Sequence, residues 1–112
     1  MRGFLARFRA HERALAELQQ RRRTRARLVA EALAAEFGVR RVWLFGSLAR
    51  GEATARSDID LLVDDLTASQ LMAASALADR IMGEAYVDML PVSLTRPDVR
   101  AEVEASGELI YG

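Results

Sequence analysis

The segment "SDIDLLV", Ser57 to Val63, limits the fold more than any other part of this chain. Side chains alternate across a strand, so Asp58, Asp60 and Leu62 share one face while Ile59, Leu61 and Val63 share the other. The second face is wholly apolar and must be covered, whereas the face carrying two carboxylates cannot be dry core. A sheet built around this strand is therefore packed on one side and open where the aspartates stand.

The surrounding pattern supplies the cover. From Phe4 to Phe37 the apolar residues recur with helical spacing, Phe4, Phe8, His11, Leu15 and Leu18 forming one stripe and Leu28, Val29, Ala32, Leu33 and Phe37 another. Between them "QQRRRTRAR" holds no apolar residue larger than Ala, which predicts an exposed arm, residues 1–24, ahead of a core-facing helix in a domain of residues 25–112. The helix is either one rod or broken near Thr24, and Gly38 ends it. "VRRVWLF" (39–45) reads as a first strand, "TASQLMAASALADRIMG" as a helix capped by Thr67 and stopped by Gly83, and "AYVDMLPV" (85–92) as a third strand placing Tyr86, Asp88 and Leu90 on one side. A last helix begins near Pro97 and a short apolar segment follows it. The expected class is α+β: a small mixed sheet with helices on one face and an open face opposite, preceded by an Arg-rich helix.

With 112 residues, one domain is expected, and 51% hydrophobic against 29% charged residues is ample for a core. The chain has no cysteine, which removes disulfides, thiolate metal sites and thiol nucleophiles, and a single His argues against a zinc site. The longest uncharged stretch, Leu66 to Ala78, contains Thr, Ser and Gln and falls short of a membrane span; the N-terminal residues alternate Arg and Glu with apolar groups unlike a signal peptide. A cytoplasmic location is expected. The net charge of zero conceals eleven Arg against four Glu in residues 1–41 and five Arg against twelve acids in residues 42–112. Since the chain has Arg but no Lys, the choice of Arg carries little information about bidentate recognition. The run "RRRTRAR" is expected to be a solvated face or a contact for an acidic partner, with nucleic acid less favoured. The stripe from Phe4 to Leu18, with little core to cover, suits a partner or homo-oligomer interface.

Asp58 and Asp60 repel each other at close range unless a cation lies between them. Mg²⁺ fits, since it is commonly held by one or two carboxylates together with substrate phosphates. If the third strand neighbours the second, Asp88 joins them, and three aspartates can serve two ions about 3.5–4 Å apart in a phosphoryl displacement. Gly46 permits close approach of a backbone to a polyphosphate, and the amides of a helix start with the Ser47 hydroxyl can donate to its oxygens; Arg50 adds charge. Ser47 is a poor candidate nucleophile, because "LFGSLA" lacks the first glycine of a nucleophile elbow and His11 lies far away in sequence. Asp64 and Asp65 read as solvated residues at a strand end.

"GSLARGEATARSDIDLLV", followed by "YVDML", resembles the signature of the DNA polymerase beta-like nucleotidyltransferases, and specifically the minimal nucleotidyltransferases, over roughly residues 25–112. The resemblance implies an Mg²⁺-dependent enzyme that transfers a nucleoside monophosphate from ATP or another triphosphate with release of pyrophosphate. By it, Asp58 and Asp60 bind both metal ions, Asp88 binds the catalytic one and helps activate the acceptor hydroxyl, and Gly46 and Ser47 hold the β- and γ-phosphates. It further implies a HEPN-domain toxin encoded next to this protein, to whose tyrosine AMP is added, making the chain an antitoxin. The small size agrees with an acceptor on a separate molecule. Two alternatives are an antitoxin that acts by binding alone, and nucleotidyl transfer to a small molecule or an RNA end.

Overall fold

The computed structural model describes residues 2–112. Helix α1 (Arg2–Phe37) is one unbroken rod of 36 residues, followed by β1 (Val42–Phe45), a single-turn helix α2 (Gly46–Ala49) and β2 (Ile59–Val63). A 3₁₀ turn leads into α3 (Leu71–Met82), then β3 (Val87–Pro91), α4 (Pro97–Ser106) and β4 (Glu108–Tyr111). At about 1.5 Å per residue, α1 accounts for nearly the whole 55 Å long dimension of the molecule. No Gly or Pro interrupts it after Gly3, and its Ala, Leu, Arg, Glu and Gln residues are strong helix formers. No described helix is long and apolar enough to cross a membrane.

The four strands lie in the order β3-β2-β1-β4. β1 runs antiparallel to both β2 and β4, while β2 and β3 are parallel, which requires the long crossover through α3. The carboxyl-terminal half of α1 packs on one face of the sheet through Ala26, Val29, Ala30 and Leu33, spaced as one helical stripe. These residues meet Leu44, Ile59, Leu61, Val63 and Met89 of the strands and Ala74, Leu77, Ala78 and Met82 of α3 in one core. Leu28 is exposed, so the stripe is rotated from the expected one, and small alanines in it let the rod sit close to the sheet.

Elsewhere the expectations hold with shorter bounds. The first strand begins at Val42 rather than Val39, although Val39 is buried, and α1 ends at Gly38 in a left-handed conformation. The Thr67 amide donates to the Gln70 side chain at 3.0 Å, heading the turn into α3, and Pro97 opens α4. The terminal apolar segment is a fourth strand, β4, which was not evident from four residues with little alternation. The opposite sheet face is divided. α4 lies across one end, its Val103 packed on Trp43 and Leu62, and the aspartate end stays uncovered by that cluster.

The largest correction concerns "QQRRRTRAR". It is not an exposed arm with a solvated Arg face: the Arg22 side chain is buried and Arg23 and Arg25 are partly so. Arg22 donates to the Thr54 and Ala55 carbonyls, Arg23 to those of Leu48 and Ala49, and Arg25 to that of Met82. Carbonyls inside the fold, which no hydropathy pattern records, are what these guanidinium groups recognise. The truly projecting part of α1 is shorter, and on it Phe4 and Phe8 stack at 6.4 Å between ring centres, both exposed.

Candidate active site

Strand β2 carries Asp60 into the middle of the sheet. It faces Phe45 across the antiparallel pair with β1 and Asp88 across the parallel pair with β3. Asp58 lies just before β2, and the Ile59 amide donates to the Tyr86 carbonyl at 2.9 Å, so the register extends to the mouth of the site. Parallel neighbours are about 4.8 Å apart, and residues two apart on one strand about 6–7 Å. The backbone thus sets Asp58, Asp60 and Asp88 on one open face. Asp58 and Asp88 are exposed and Asp60 is half-buried.

Asp60 also lies against the turn that follows β1. Gly46 has φ +74°, and a β-carbon placed on it would come within 2.2 Å of Asp60 Oδ2. Both facts require glycine here: the conformation disfavours L side chains, and the carboxylate occupies the space one would fill. Gly46 is the first residue of α2 and Ser47, half-buried, the second, so the helix start leaves their amides without partners inside the helix. Leu48, the next residue, is fully buried and pins the turn to the core.

The electrostatics match this crowding. Burial first, then the charge of Asp88 and then that of Asp58, push the Asp60 carboxyl above its ordinary value of 3.8. Arg50 opposes them, but it is exposed and its guanidinium is 3.2 Å from Glu52. None of the three aspartates has an ion-pair partner among the described residues.

The fit of a divalent cation follows from this donor set. Among the described residues no group of three or more His, Asp or Glu is arranged to enclose a metal ion unaided. The carboxylates are aligned by strand register, not drawn onto one point. That geometry fits a cation arriving with its own oxygen ligands, as Mg²⁺ does on a polyphosphate, since Mg²⁺ needs only one or two carboxylates from the protein. Unrelieved repulsion at Asp60 is the feature such a cation would neutralise.

Sequence reasoning missed the support behind the turn. Between Ser47 and Asp58 the loop is held by Gln19, Arg22 and Arg23, and Ala53 is buried as its plug. Thr54 and Ser57 close it further, the Thr54 amide donating to Ser57 Oγ at 2.9 Å. The available signal was a cluster of Arg inside a helix whose flanking stripes face different surroundings. Tyr86, 62% exposed, flanks the site on the aspartate side, as its alternation with Asp88 requires.

A family profile described as polymerase beta nucleotidyltransferase matches residues 28–112. Among solved structures, one chain described as a minimal nucleotidyltransferase shares 31% identity at a TM-score of 0.62, covering 83% of this chain and 92% of its own. A second, from a toxin–antitoxin crystal structure with AMP-PNP, superposes at a TM-score of 0.66 with 19% identity, covering 77% of this chain and 73% of its own. No curated protein matches the sequence. With its Gly-Ser turn joined to an Asp-x-Asp strand inside a matching fold, this chain belongs to the polymerase beta-type nucleotidyltransferases, within them to the minimal nucleotidyltransferases.

Proposed function

We propose that this protein is an antitoxin that transfers AMP from ATP to a tyrosine of a HEPN-domain toxin encoded beside it. The observation that carries the reading is the in-register pair Asp60–Asp88, with Asp58 beside it, against the glycine turn of Gly46 and Ser47. The acceptor hydroxyl would attack the α-phosphorus of ATP, the α–β bridging bond would break, and pyrophosphate would leave with the electron pair. The proton of the hydroxyl would pass to Asp88, which is exposed. Gly46 and Ser47 would hold the β- and γ-phosphates through amides and hydroxyl, and Arg50 would add charge at the rim. Two Mg²⁺ ions held by Asp58, Asp60 and Asp88 would supply Lewis-acid stabilisation of the phosphoryl oxygens.

The partner is supported by the neighbouring toxin–antitoxin structure and by the projecting end of α1. Phe4, Leu5 and Phe8 are all exposed there, with no core of this chain beneath them, and suit an interface to a toxin or to a second copy. Transfer to an RNA end is less favoured, because Arg22, Arg23 and Arg25 are committed to internal carbonyls.

Incubation with labelled ATP, Mg²⁺ and the product of the adjacent reading frame tests the reading. Asp58→Asn and Asp60→Asn should abolish labelling of the partner while the fold persists. Labelling by either variant at the parental rate would refute the assignment. Neutralisation of the toxin by unlabelling variants would instead favour inhibition by binding, which the exposed aromatic end of α1 also supports.

A further inference from the structure

Resting on the nucleotidyl-transfer reading, we propose that Arg22 and Arg23 of α1 are positioning residues that hold the loop joining the Gly46–Ser47 turn to Asp58, and with it the two flanks of the site. Those two parts of the site are joined by ten intervening residues, 48–57, that form neither a strand nor a long helix. The β1–β2 ladder sets Gly46 against Asp60, but the loop that leaves this turn and returns to Asp58 has no ladder of its own to hold it. Three side chains on one face of α1, at positions 19, 22 and 23, take up its carbonyls, Arg23 nearest the turn, then Gln19, then Arg22. Arg23 Nη2 donates to Leu48 O at 2.9 Å and Ala49 O at 3.2 Å. Gln19 Nε2 donates to Gly51 O at 3.2 Å and Ala53 O at 2.8 Å, and Arg22 donates to Thr54 O at 3.0 Å and Ala55 O at 3.2 Å. Six carbonyls, from the end of α2 almost to Asp58, are thus fixed to one rigid rod.

The charges are held as well as the loop. Glu108 of β4 pairs with Arg23 and, at 3.5 Å, with Arg27. Arg22 is only 2% exposed, its Nε makes no hydrogen bond, and the nearest carboxylate, Glu84, is 3.8 Å away. Arg21 in turn donates to Glu84 and holds that carboxyl below its usual range. A buried guanidinium with an unpaired nitrogen is a costly way to stabilise a surface loop, for which an apolar contact would serve. What a guanidinium adds is a planar fork: Arg22 fixes two carbonyls with its two Nη groups, and Arg23 holds two carbonyls with one Nη while the other meets Glu108. Arg23 acts on the turn side, next to Ser47, and Arg22 on the carboxylate side, ahead of Asp58.

The full chain should be compared with Arg22→Met, Arg23→Met, Arg22→Lys and Arg23→Lys, with Arg13→Gln on exposed α1 as control. Folding is checked by circular dichroism, loop order by hydrogen exchange at amides 47–57, and function by the dissociation constant for ATP with Mg²⁺ and by single-turnover transfer. Both Met variants should exchange at least about tenfold faster in 47–57 while α3 amides keep their protection. Arg23→Met should weaken ATP binding at least about tenfold, and Arg22→Met should slow single-turnover transfer by a similar factor at saturating ATP. The Lys variants, each keeping one donor, should recover part of the loss. If the Met variants do not fold, Gln19→Leu, which removes one donor at a half-exposed position, should still accelerate exchange in the loop. A folded Met variant, or Gln19→Leu in their place, with parental loop exchange overturns the proposal, as do Met variants with parental binding and transfer. Absence of binding and transfer in the parent would count against the nucleotidyl-transfer reading, and hydrogen exchange would still decide whether the loop depends on these residues.

Discussion

Replacing Gly46 by Ala separates two costs that the structure superimposes at one atom. The new β-carbon would lie 2.2 Å from Asp60 Oδ2 and 3.1 Å from its Cγ. That is more than about 1 Å inside van der Waals separation, so the carboxylate must rotate away. A single side chain can do this with little loss of stability. The backbone cannot adjust as easily, because φ is +74°, and the left-handed conformation costs an L residue about 1–2 kcal/mol. For a domain of this size that is a fall in Tm of roughly 4–10 °C. The displaced carboxylate should lower transfer by about 10²-fold, as a misplacement near 1 Å commonly does. Gly38→Ala is the matched comparison, since its φ is +72° and nothing lies within 4 Å of its added carbon. Thermal unfolding should show similar losses in both variants, and partner labelling with ATP and Mg²⁺ should fall only in Gly46→Ala. Equal labelling by the two variants would refute the claim that Gly46 makes room for the Asp60 carboxylate.

Asp60 itself sets a pH dependence in chelator-treated protein. Its raised carboxyl favours the protonated form in the fold, so its contribution to stability is full below 3.8 and is lost as pH rises through the higher folded value. Asp60→Asn should therefore be more stable than the parent toward urea at pH 7, with the advantage shrinking as pH falls toward 4; an advantage that grows on acidification would contradict the sign. Leu48→Ala, at a fully buried position, should lose about 2–5 kcal/mol, measured by urea unfolding, and the loss should be accompanied by faster exchange in the turn it anchors. Phe4→Ser with Phe8→Ser removes exposed rings and should change stability by no more than about 0.5 kcal/mol, yet weaken the complex with the adjacent gene product in calorimetry; unchanged affinity would exclude that end of α1 from the interface.

The open aspartate face was legible because period-two alternation forces it. Ile59, Leu61 and Val63 demanded cover, and Asp58 and Asp60 could only be left outside it. The third carboxylate was legible to the extent that "YVDML" alternates, but its pairing partner was not, since register depends on a crossover whose length does not specify it. Asp88 opposite Asp60 is a result of the structure. The Arg segment misled because hydropathy treats a guanidinium as solvent-seeking, while here the groups it seeks are main-chain carbonyls, which look alike in every sequence. β4 escaped for a related reason: its place beside β1 rests on ladder bonds, with Leu109 pointing out and Ile110 only half-covered.

The pairing of Arg23 with Glu108 spans 85 positions of sequence. During translation, α1 leaves the ribosome long before β4 is made. A nascent polypeptide halted at Leu90 already contains the glycine turn and every aspartate of the face, yet Arg23 has no counter-ion and the edge of β1 lacks its neighbour. The counter-ion of the guanidinium that braces the turn is therefore synthesised only after every carboxylate of the face.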